Sequence, residues 1–486
     1  MRELVIGLDI GSSSTKGMLV DRTGRLLAFA SRNHETTRLH PGWQEQDALT
    51  LWWGECIGII RELQAKVGTK PAEIRRIGVT GFVPGLCLPD ARGNPVRSGI
   101  LHTDTRADEE LAEIRRRYPG VHHGLLLPKL LWVRKHEPEL FGSAISALVP
   151  HSFIVFKLTG KTSCDNDSAS IYGALFDEKK LRWDSAACAE FGISQRMLPE
   201  PFPATSNIGP LTGTAAELTG LTTSTEVIVG TGDSFTSLLG TGIRDAHELM
   251  LYWGTSGTRI YTRDSPAHYL DGPYFNGGKA EFVGTIFSCG ESLNHVKTLV
   301  GDIPWKTLDA SAESIPPGAE NLFYFPHLKQ QASSESLASA DHIIGLRDKH
   351  SAGHLHRALL EGIAFTSVME LSALERIDRI HVCGGAASCG ELRTILATVL
   401  KMPVHYSPDS SAALGIALLA SFPLQDEPSF LQTSREWFRQ GNRSASFAQE
   451  PREEWIGTYE HKLETFSSLR KGLLSIQTHD IQTHDI

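Results

Sequence analysis

The sequence has no apolar run long enough to cross a bilayer, and its start shows no basic segment followed by an apolar core. It has no excess of positive charge, because 47 lysines and arginines face 56 aspartates and glutamates. A net charge of -9 argues against nucleic-acid binding. The seven cysteines form no C-x-x-C pair, which argues against a disulfide framework. We therefore expect a cytoplasmic protein with reduced thiols, no membrane partner and no nucleic-acid partner.

Two common nucleotide motifs are also missing. The pattern G-x-x-x-x-G-K-[ST] of a P-loop does not occur, and neither does the G-x-G-x-x-G pattern of a dinucleotide site. The length of 486 residues nevertheless suffices for two or more cored domains. If the chain binds a nucleotide, it uses another kind of turn.

Such a turn occurs near the start, in the stretch "GLDIGSSSTKGMLVD" at residues 7–21. Leu4 to Ile10 reads as a buried strand and Lys16 to Val20 as its antiparallel partner. The turn between them is rich in glycine and hydroxyl residues, so its backbone N–H groups can converge on an anion. Asp9 beside this donor-rich turn favours a cation, and together they indicate a metal–phosphate complex. An ordinary hairpin is an equal alternative.

The next segments extend this hairpin into a sheet. Leu26 to Ser31 reads as a third strand, and Asp47 can cap a helix with apolar residues at helical spacing. Ile77 to Thr80 reads as a buried strand after that helix. The order predicts an antiparallel start that becomes a parallel α/β sheet.

The hairpin turn recurs far downstream, in "LMLYWGTSGTRIY" at residues 249–261. Gly11 to Lys16 matches Gly254 to Arg259, while Tyr252 occupies the position of Asp9. Two related sheet domains, each offering a turn, would place one ligand in the cleft between them. The boundary is predicted near Gly242 to His247, giving domains at residues 1–243 and 244–486.

Two further glycine turns follow apolar strands. In "VIVGTGDSF", the strand Val227 to Val229 leads to Asp233 at the start of an apolar helix. This carboxylate is well placed to face a cleft, but a helix N-cap is the simpler reading of the local pattern. In "RIHVCGGAASCGELRTILATVL", a similar turn would let a flat nucleotide base approach the backbone.

These motifs, in this order, resemble the FGGY family of carbohydrate kinases within the actin-like ATPase superfamily. The resemblance also includes "GWQEQDALTLWW", "LPKLLWVRKHEPELF", "LTGKTSCDNDSAS", "RALLEGIAF" and "SSAALGIALLA". In length and texture the chain is similar to the pentulose kinases of the xylulokinase type. The resemblance implies two actin-like, ribonuclease H-like α/β domains with the site in their cleft. It also implies phosphorylation of a small sugar or polyol hydroxyl by ATP and Mg²⁺.

The resemblance also implies residue roles. Asp233 would be the general base, which reverses the preference for a cap, and Asp9 and Asp233 would lie at the metal. The residues implied at the nucleotide are Gly11, Ser12, Ser13, Ser14, Lys16, Gly254, Thr255, Gly290, Asn294, Gly384, Gly385 and Cys389. The residues implied at the sugar are Phe82, Val83, Asp104, Arg106, Asp233 and Ser234.

The sugar pocket departs from the family pattern. "TGFVPG" places Pro84 where many relatives carry a histidine, and His102 stands where a tryptophan is usual. Asp104 and Arg106 are equally consistent with sugar contact and with an internal ion pair. The run "YFPHLKQQASSESLASADHIIGL" lacks the usual Gly-Glu-Arg pattern. The phosphoryl-transfer residues look intact, whereas the substrate is open.

Two alternatives and two further expectations complete the sequence analysis. A regulator of the same fold that has lost the reaction is the first alternative, and a chaperone-type actin-like ATPase is the second. A metal site at His350 and His354 is not expected, because no further ligand stands at a suitable spacing. A homodimer is the one protein partner that we expect.

Overall fold

The structure is a computed structural model that describes residues 2–243, 245–254, 256–264, 280–326, 341–408, 411–422, 427–440 and 447–483. For residues 282, 284–286, 427, 428, 431 and 474–483 it describes the backbone alone. The strands are β1 Leu4–Ile10, β2 Ser14–Asp21, β3 Leu26–Asn33, β4 Glu45–Gln46, β5 Ile74–Gly81, β6 Gly99–Ile100, β7 Ser163–Asp165, β8 Phe176–Asp177, β9 Arg182–Trp183, β10 Glu200–Phe202, β11 Asn207–Pro210, β12 Glu226–Ile228, β13 Thr231–Gly232, β14 Glu248–Trp253, β15 Ser256–Thr262, β16 Ala280–Ser288, β17 Phe323–Phe325, β18 His342–Ile344, β19 Arg379–Cys383, β20 Val404–Tyr406 and β21 Phe447–Gln449.

The helices lie between these strands or follow them, singly or in succession. They are α1 Glu55–Val67, α2 Asp108–Arg115, α3 Leu126–His136, α4 Pro138–Ser143, α5 Pro150–Thr159, α6 Asn166–Ser170, α7 Ser185–Glu190, α8 Gly213–Thr219, α9 Asp233–Thr241, α10 Gly290–Leu299, α11 Trp305–Glu313, α12 Ala352–Met369, α13 Gly390–Leu400, α14 Ala412–Ser421, α15 Glu427–Gln440 and α16 Ile456–Thr483. In the described part of the chain, none of them is both long and apolar enough to span a membrane. The last helix, α16, is 28 residues long.

The first compact unit is built on a sheet in the order β11-β12-β5-β1-β2-β3, with β13 also paired to β5. β1, β2 and β3 are antiparallel neighbours, whereas β5 runs parallel to both β1 and β12. The predicted antiparallel start followed by parallel pairing is therefore confirmed. Before α1, the carboxylate of Asp47 accepts hydrogen bonds from the backbone N–H of Leu49 at 2.9 Å and of Thr50 at 3.3 Å, so the predicted cap is also present.

The second unit repeats this arrangement. Its sheet has the order β16-β15-β14-β19-β20-β21. β14 pairs antiparallel with β15 and parallel with β19, just as β1 pairs with β2 and β5. The match between the two hairpin turns in the sequence therefore reflects a repeated supersecondary structure.

Helix α14 packs within the first unit, although it lies late in the chain. The backbones approach so closely that a Cβ on Gly7 of β1 would overlap the carbonyl oxygen of Ala413. A Cβ on Gly415 of α14 would likewise overlap the carbonyl oxygen of Thr236 in α9. Glycine at both positions therefore seats α14 against the strand and the helix that carry Asp9 and Asp233.

The domain boundary differs from the expected one in this respect. The first unit comprises Met1–Arg244, Ser265–Ala280 and Asp409–Arg443, and the second unit takes the remaining segments. The second domain is therefore not the continuous stretch 244–486, because α14 and α15 belong with the first sheet. The sequence alone could not show this, because α14 is apolar and buried along nearly its whole length, and such a pattern does not indicate which sheet the helix packs against.

Replacing Gly415 by alanine should lower the free energy of unfolding by about 1–3 kcal/mol, because an added methyl group overpacks this contact. Gly58→Ala is the matched control: it lies in α1 with open space around its Cβ position, so it should stabilise by about 0.5–1 kcal/mol. Chemical unfolding of the two variants and the parent measures both changes. A Gly415→Ala protein as stable as the parent would contradict the close packing described here.

Candidate active site

The first hairpin turn is folded so that its carbonyl groups point into the protein. The N–H of Gly11 donates to the carbonyl of Ser14 at 2.9 Å. His34 donates through its backbone N–H to the carbonyl of Ser13 at 3.0 Å and through Nε2 to the carbonyl of Gly11 at 3.1 Å. The side chains of Ser12 and Ser13 are exposed, while that of Ser14 is buried. The turn therefore presents hydroxyl groups outward, as an anion site requires.

Asp9 lies on β1, directly opposite Lys16 on β2 and beside Thr80 on β5. Its side chain is buried, and its Oδ1 atom has no hydrogen-bond partner among the described residues. Burial raises the pKa of this carboxyl from 3.8 to about 6, and the charge of Lys16 offsets part of the effect. An ionised carboxylate buried in this way has too little positive charge nearby to compensate its loss of hydration.

Asp233 lies one residue after the N-cap position of helix α9. Gly232 is the N-cap in extended conformation, and Asp233 is the first residue of α9. The cap reading of Asp233 is therefore wrong. The preceding turn requires glycine, because Gly230 has a φ of +76° and a Cβ there would overlap the carbonyl of Val79. The turn thus delivers a half-buried carboxylate to the end of the sheet.

The two carboxylates share one electrostatic environment. The pKa of Asp233 is raised from 3.8 to about 7, first by burial and then by the negative charge of Asp9. The backbone N–H groups of Ser234 and of Asp233 itself, together with Lys16, lower it in part. Two acids that disfavour each other's ionised form are poised to take up a cation or a proton.

The donor set of this pair suits Mg²⁺. Hard carboxylate oxygens are its preferred protein ligands, and it usually binds through one or two carboxylates while keeping several waters. Asp9, whose buried Oδ1 has no partner, meets this requirement together with Asp233. Among the described residues, no cluster of three or more histidine, cysteine or acidic side chains could hold a metal, and this includes His350 and His354.

An apolar wall stands beside Asp233. A Cβ on Gly232 would lie 2.7 Å from Cγ2 of Val83, so Val83 abuts the turn that carries the carboxylate. The Phe82 ring is buried and lies 5.6 Å from the Trp52 ring and 5.9 Å from the His102 ring. Val83 and Phe82 were both predicted at the sugar; Val83 is partly exposed, whereas Phe82 is buried.

Asp104 and Arg106 form the internal ion pair that the sequence left as an alternative. Arg106 donates to Asp104 through Nε at 2.9 Å and Nη2 at 2.6 Å, and to Glu45 through Nη1 at 2.6 Å. The guanidinium also lies 3.9 Å from the centre of the Trp43 ring. Both side chains of the pair are fully buried, which argues against direct contact with a sugar.

The second unit brings three of the predicted nucleotide residues together. The N–H of Gly290, at the start of α10, donates to the carbonyl of Gly254 at 2.9 Å. Gly384 has a φ of +94°, and a Cβ there would lie 2.5 Å from the carbonyl oxygen of Trp253. The hairpin turn at Gly254, the start of α10 and the glycine turn at Gly384 thus meet at one end of the sheet.

The other predicted residues of this unit differ in their exposure. Gly385 is exposed with open space around it, and Asn294 is exposed on α10. The thiol of Cys389 donates to Asp309 at 3.7 Å and is half-buried, and burial raises its pKa to about 12. Cys389 is therefore an unreactive thiol next to the turn. Thr255 lies outside the described residues. So does Lys329-Gln330-Gln331, in the run that lacks the usual Gly-Glu-Arg pattern.

The sequence reading missed a hydrogen-bond network beneath the Asp233 turn. The hydroxyl of Thr80 donates to the carbonyl of Thr231 at 2.6 Å, and the hydroxyl of Thr231 donates to Asp165 at 2.8 Å. These residues are 66 to 151 positions apart in the chain. No local pattern identifies such contacts, because they form only when the sheet is assembled.

Comparison with known proteins agrees with this architecture. The model of the FGGY family of carbohydrate kinases matches residues 4–240 with its N-terminal domain and residues 249–424 with its C-terminal domain. A solved structure of xylulose kinase from Rhodospirillum rubrum superposes with a TM-score of 0.80 at 28% identity, covering 98% of this chain and 100% of the other.

Two curated relatives extend the comparison. The xylulose kinase of Bacillus subtilis is 28% identical over 440 residues, which cover 86% of this chain and 88% of that protein. The L-xylulose/3-keto-L-gulonate kinase of Escherichia coli is 28% identical over 444 residues, with coverage of 86% and 88%. The fold and the site define a two-domain phosphotransferase of the actin-like ATPase fold. The chain belongs to the FGGY family of carbohydrate kinases, so it is an ATP-dependent kinase that acts on a sugar hydroxyl.

Asp9→Asn should stabilise the metal-free protein at pH 8. The folded-state pKa of Asp9 lies above its ordinary value, so the folded chain holds an extra proton between about pH 4 and pH 6. Above that window the buried charge costs roughly 3 kcal/mol, and asparagine avoids this cost. The gain should vanish near pH 4, where the parent carboxyl is protonated.

Thermal unfolding in a chelating buffer at both pH values measures this difference. The control is saturation with Mg²⁺, which should raise the melting temperature of the parent and not that of the variant. Equal melting temperatures at pH 8, or a gain of the same size at pH 4, would contradict the buried charge at Asp9.

Proposed function

We propose that this kinase transfers the γ-phosphoryl group of ATP to a hydroxyl of a pentulose-type ketose, with Asp233 as the general base. The observation that carries the proposal is the pair of carboxylates, Asp9 and Asp233, whose pKa values are both raised beside a single lysine. The relatives support the substrate class, since their names identify kinases of xylulose and of L-xylulose and 3-keto-L-gulonate.

Asp9 and Asp233 would hold Mg²⁺. Their carboxylates lose an unfavourable mutual repulsion when a divalent cation is bound, which favours the ionised form of both. When bound, the metal neutralises negative charge on the β- and γ-phosphates of ATP. Lys16 faces both carboxylates and would bring its own positive charge to the transferring phosphoryl group.

Asp233 has the properties of a proton acceptor. In the transfer, a sugar oxygen forms a bond to the γ-phosphorus, the bond between that phosphorus and the bridging oxygen of ADP breaks, and the hydroxyl proton moves to Asp233. The pKa of Asp233, raised to about 7 in the metal-free protein, makes its carboxylate a better proton acceptor than that of an ordinary aspartate, and a bound cation would keep it ionised before the transfer. The first turn of α9 lends its N–H dipoles to the charged form.

The glycine turns of the two units are proposed to bind the nucleotide. In the first unit, the turn from Gly11 to Lys16 would contact phosphate oxygens through backbone N–H groups and serine hydroxyls. In the second unit, the open space around Gly385 would let a nucleotide approach the backbone, and Gly254, Gly290 and Gly384 are proposed to lie beside it. Thr255, Asn294 and Cys389 keep their predicted nucleotide roles as part of this proposal.

The sugar side of the site is proposed to differ from that of relatives with a histidine at position 84. Val83 places methyl groups beside the Asp233 turn, and Pro84 offers no side-chain donor. Ser234, which is partly exposed next to Asp233, remains a proposed sugar ligand. A regulator that has lost the reaction is not favoured, because both carboxylates of the reaction are retained. A homodimer and a cytoplasmic location stay predictions.

Asp233→Asn should lower phosphorylation of the sugar by ~10²–10⁴ in kcat, because an amide cannot accept the proton. ATP binding should change little, because the phosphate turns and Asp9, the other proposed metal ligand, are untouched. ADP release with D-xylulose, L-xylulose and 3-keto-L-gulonate as acceptors, together with calorimetry of MgATP, measures the two quantities. Ser237→Ala on the same helix serves as the folding control, because it removes a hydroxyl that is not part of the proposed site.

Two results would contradict the proposal. If the parent releases no ADP above background with any of the three acceptors, the pentulose class is wrong. If Asp233→Asn turns over within a few-fold of the parent, Asp233 is not the base.

A further inference from the structure

We propose that Thr231 and Asp165 are positioning residues that fix the Asp233 turn for catalysis. The proposal rests on the base role proposed above for Asp233. Thr231 forms the short strand β13 with Gly232 and is therefore two residues from the carboxylate. Neither Thr231 nor Asp165 needs to touch the substrate for this role.

Thr231 is anchored from two sides. In register it lies beside Thr80 of β5, whose hydroxyl donates to the carbonyl of Thr231 at 2.6 Å. Its own hydroxyl donates to Oδ2 of Asp165 at 2.8 Å. Thr231 is fully buried, so water does not compete for either bond. The backbone leading into Asp233 is thus held by one neutral and one charge-assisted hydrogen bond.

Asp165 is itself held rigidly and in its charged form. Its Oδ2 accepts from the backbone N–H of Ser168 at 2.9 Å, and its Oδ1 accepts from Nε2 of His151 at 3.2 Å. Burial on its own would raise the pKa of Asp165, but the bonds to His151 and Ser168 outweigh it and hold the pKa below 3.8. A buried carboxylate with this many donors is a stable acceptor for the Thr231 hydroxyl.

The first turn of α9 is tied to the same strand. The hydroxyls of Thr236 and Thr80 are 2.8 Å apart, and the hydroxyl of Thr236 donates to the carbonyl of Gly232 at 3.3 Å. Thr80 also lies beside Asp9 across the β1–β5 pairing. The network therefore links the backbones that carry the two carboxylates. A base that must meet a hydroxyl within hydrogen-bond reach depends on such fixed placement.

Thr231→Val, which keeps the shape and loses the hydroxyl, should lower kcat by about 10–10²-fold with the KM for ATP within a few-fold of the parent. Thr231→Ser keeps the hydroxyl and should recover most of kcat. Thr225→Val is the matched control. It removes another buried threonine hydroxyl of the same unit, one that donates to the carbonyl of Ile74 at 2.9 Å, and should leave kcat unchanged. The assay uses D-xylulose or L-xylulose with MgATP, alongside thermal unfolding.

A second measurement needs no substrate. Nitrogen-15 relaxation of the backbone amides of Gly230 to Ser234 in the metal-free protein reports how firmly this turn is held. Thr231→Val should lower their order parameters from about 0.85 towards about 0.6, because the turn loses one of the two hydrogen bonds that anchor it. Thr225→Val should not change them.

The outcomes separate this inference from the proposed function. A parent that is inactive with both sugars contradicts the proposed substrate class, and the relaxation measurement then decides the inference alone. Thr231→Val with parental kcat, or with parental order parameters in the turn, overturns the positioning role. Equal losses of kcat in Thr231→Val and Thr225→Val, matched to equal losses of stability, would also overturn it.

Discussion

The site of the first unit depends on the close approach of helix α14 to strand β1 and helix α9. Gly7 and Gly415 let these backbones pack at distances that any side chain would prevent. β1 carries Asp9 and α9 begins with Asp233, so the same contact fixes both carboxylates relative to one sheet. Because protein interiors are close-packed, a change at either glycine is transmitted to the site.

The approach of two carboxylates has an energetic consequence. Each is ionised less readily in the fold than in the unfolded chain, so the metal-free protein is less stable at neutral pH than it would be without them. Lys16 and the N–H groups of α9 offset only part of this cost. Such an unfavourable charge arrangement is typical of sites that are completed when a ligand binds. Here it points to a cation that binds the carboxylates and to a proton that is transferred to one of them.

The sequence predicted the strands and the turns well, because their signals are local. The apolar runs Leu4 to Ile10 and Ile77 to Thr80 and the repeated turn at Gly254 can be recognised from neighbouring residues alone. The sequence did not place α14 in the first unit, did not choose the ion pair for Asp104 and Arg106, and gave no sign of Asp165 under the Asp233 turn. These features depend on contacts between distant segments, which no periodicity within one segment encodes.

The central claim is that Asp233 accepts the sugar proton, and the pH dependence of kcat/KM for the sugar at saturating MgATP tests it most directly. The account predicts an acid limb on which kcat/KM of the parent falls about tenfold per pH unit, because protonated Asp233 cannot act as a base, and a residual activity of Asp233→Asn that lacks this limb. An acid limb of the same slope and midpoint in both proteins would contradict the claim.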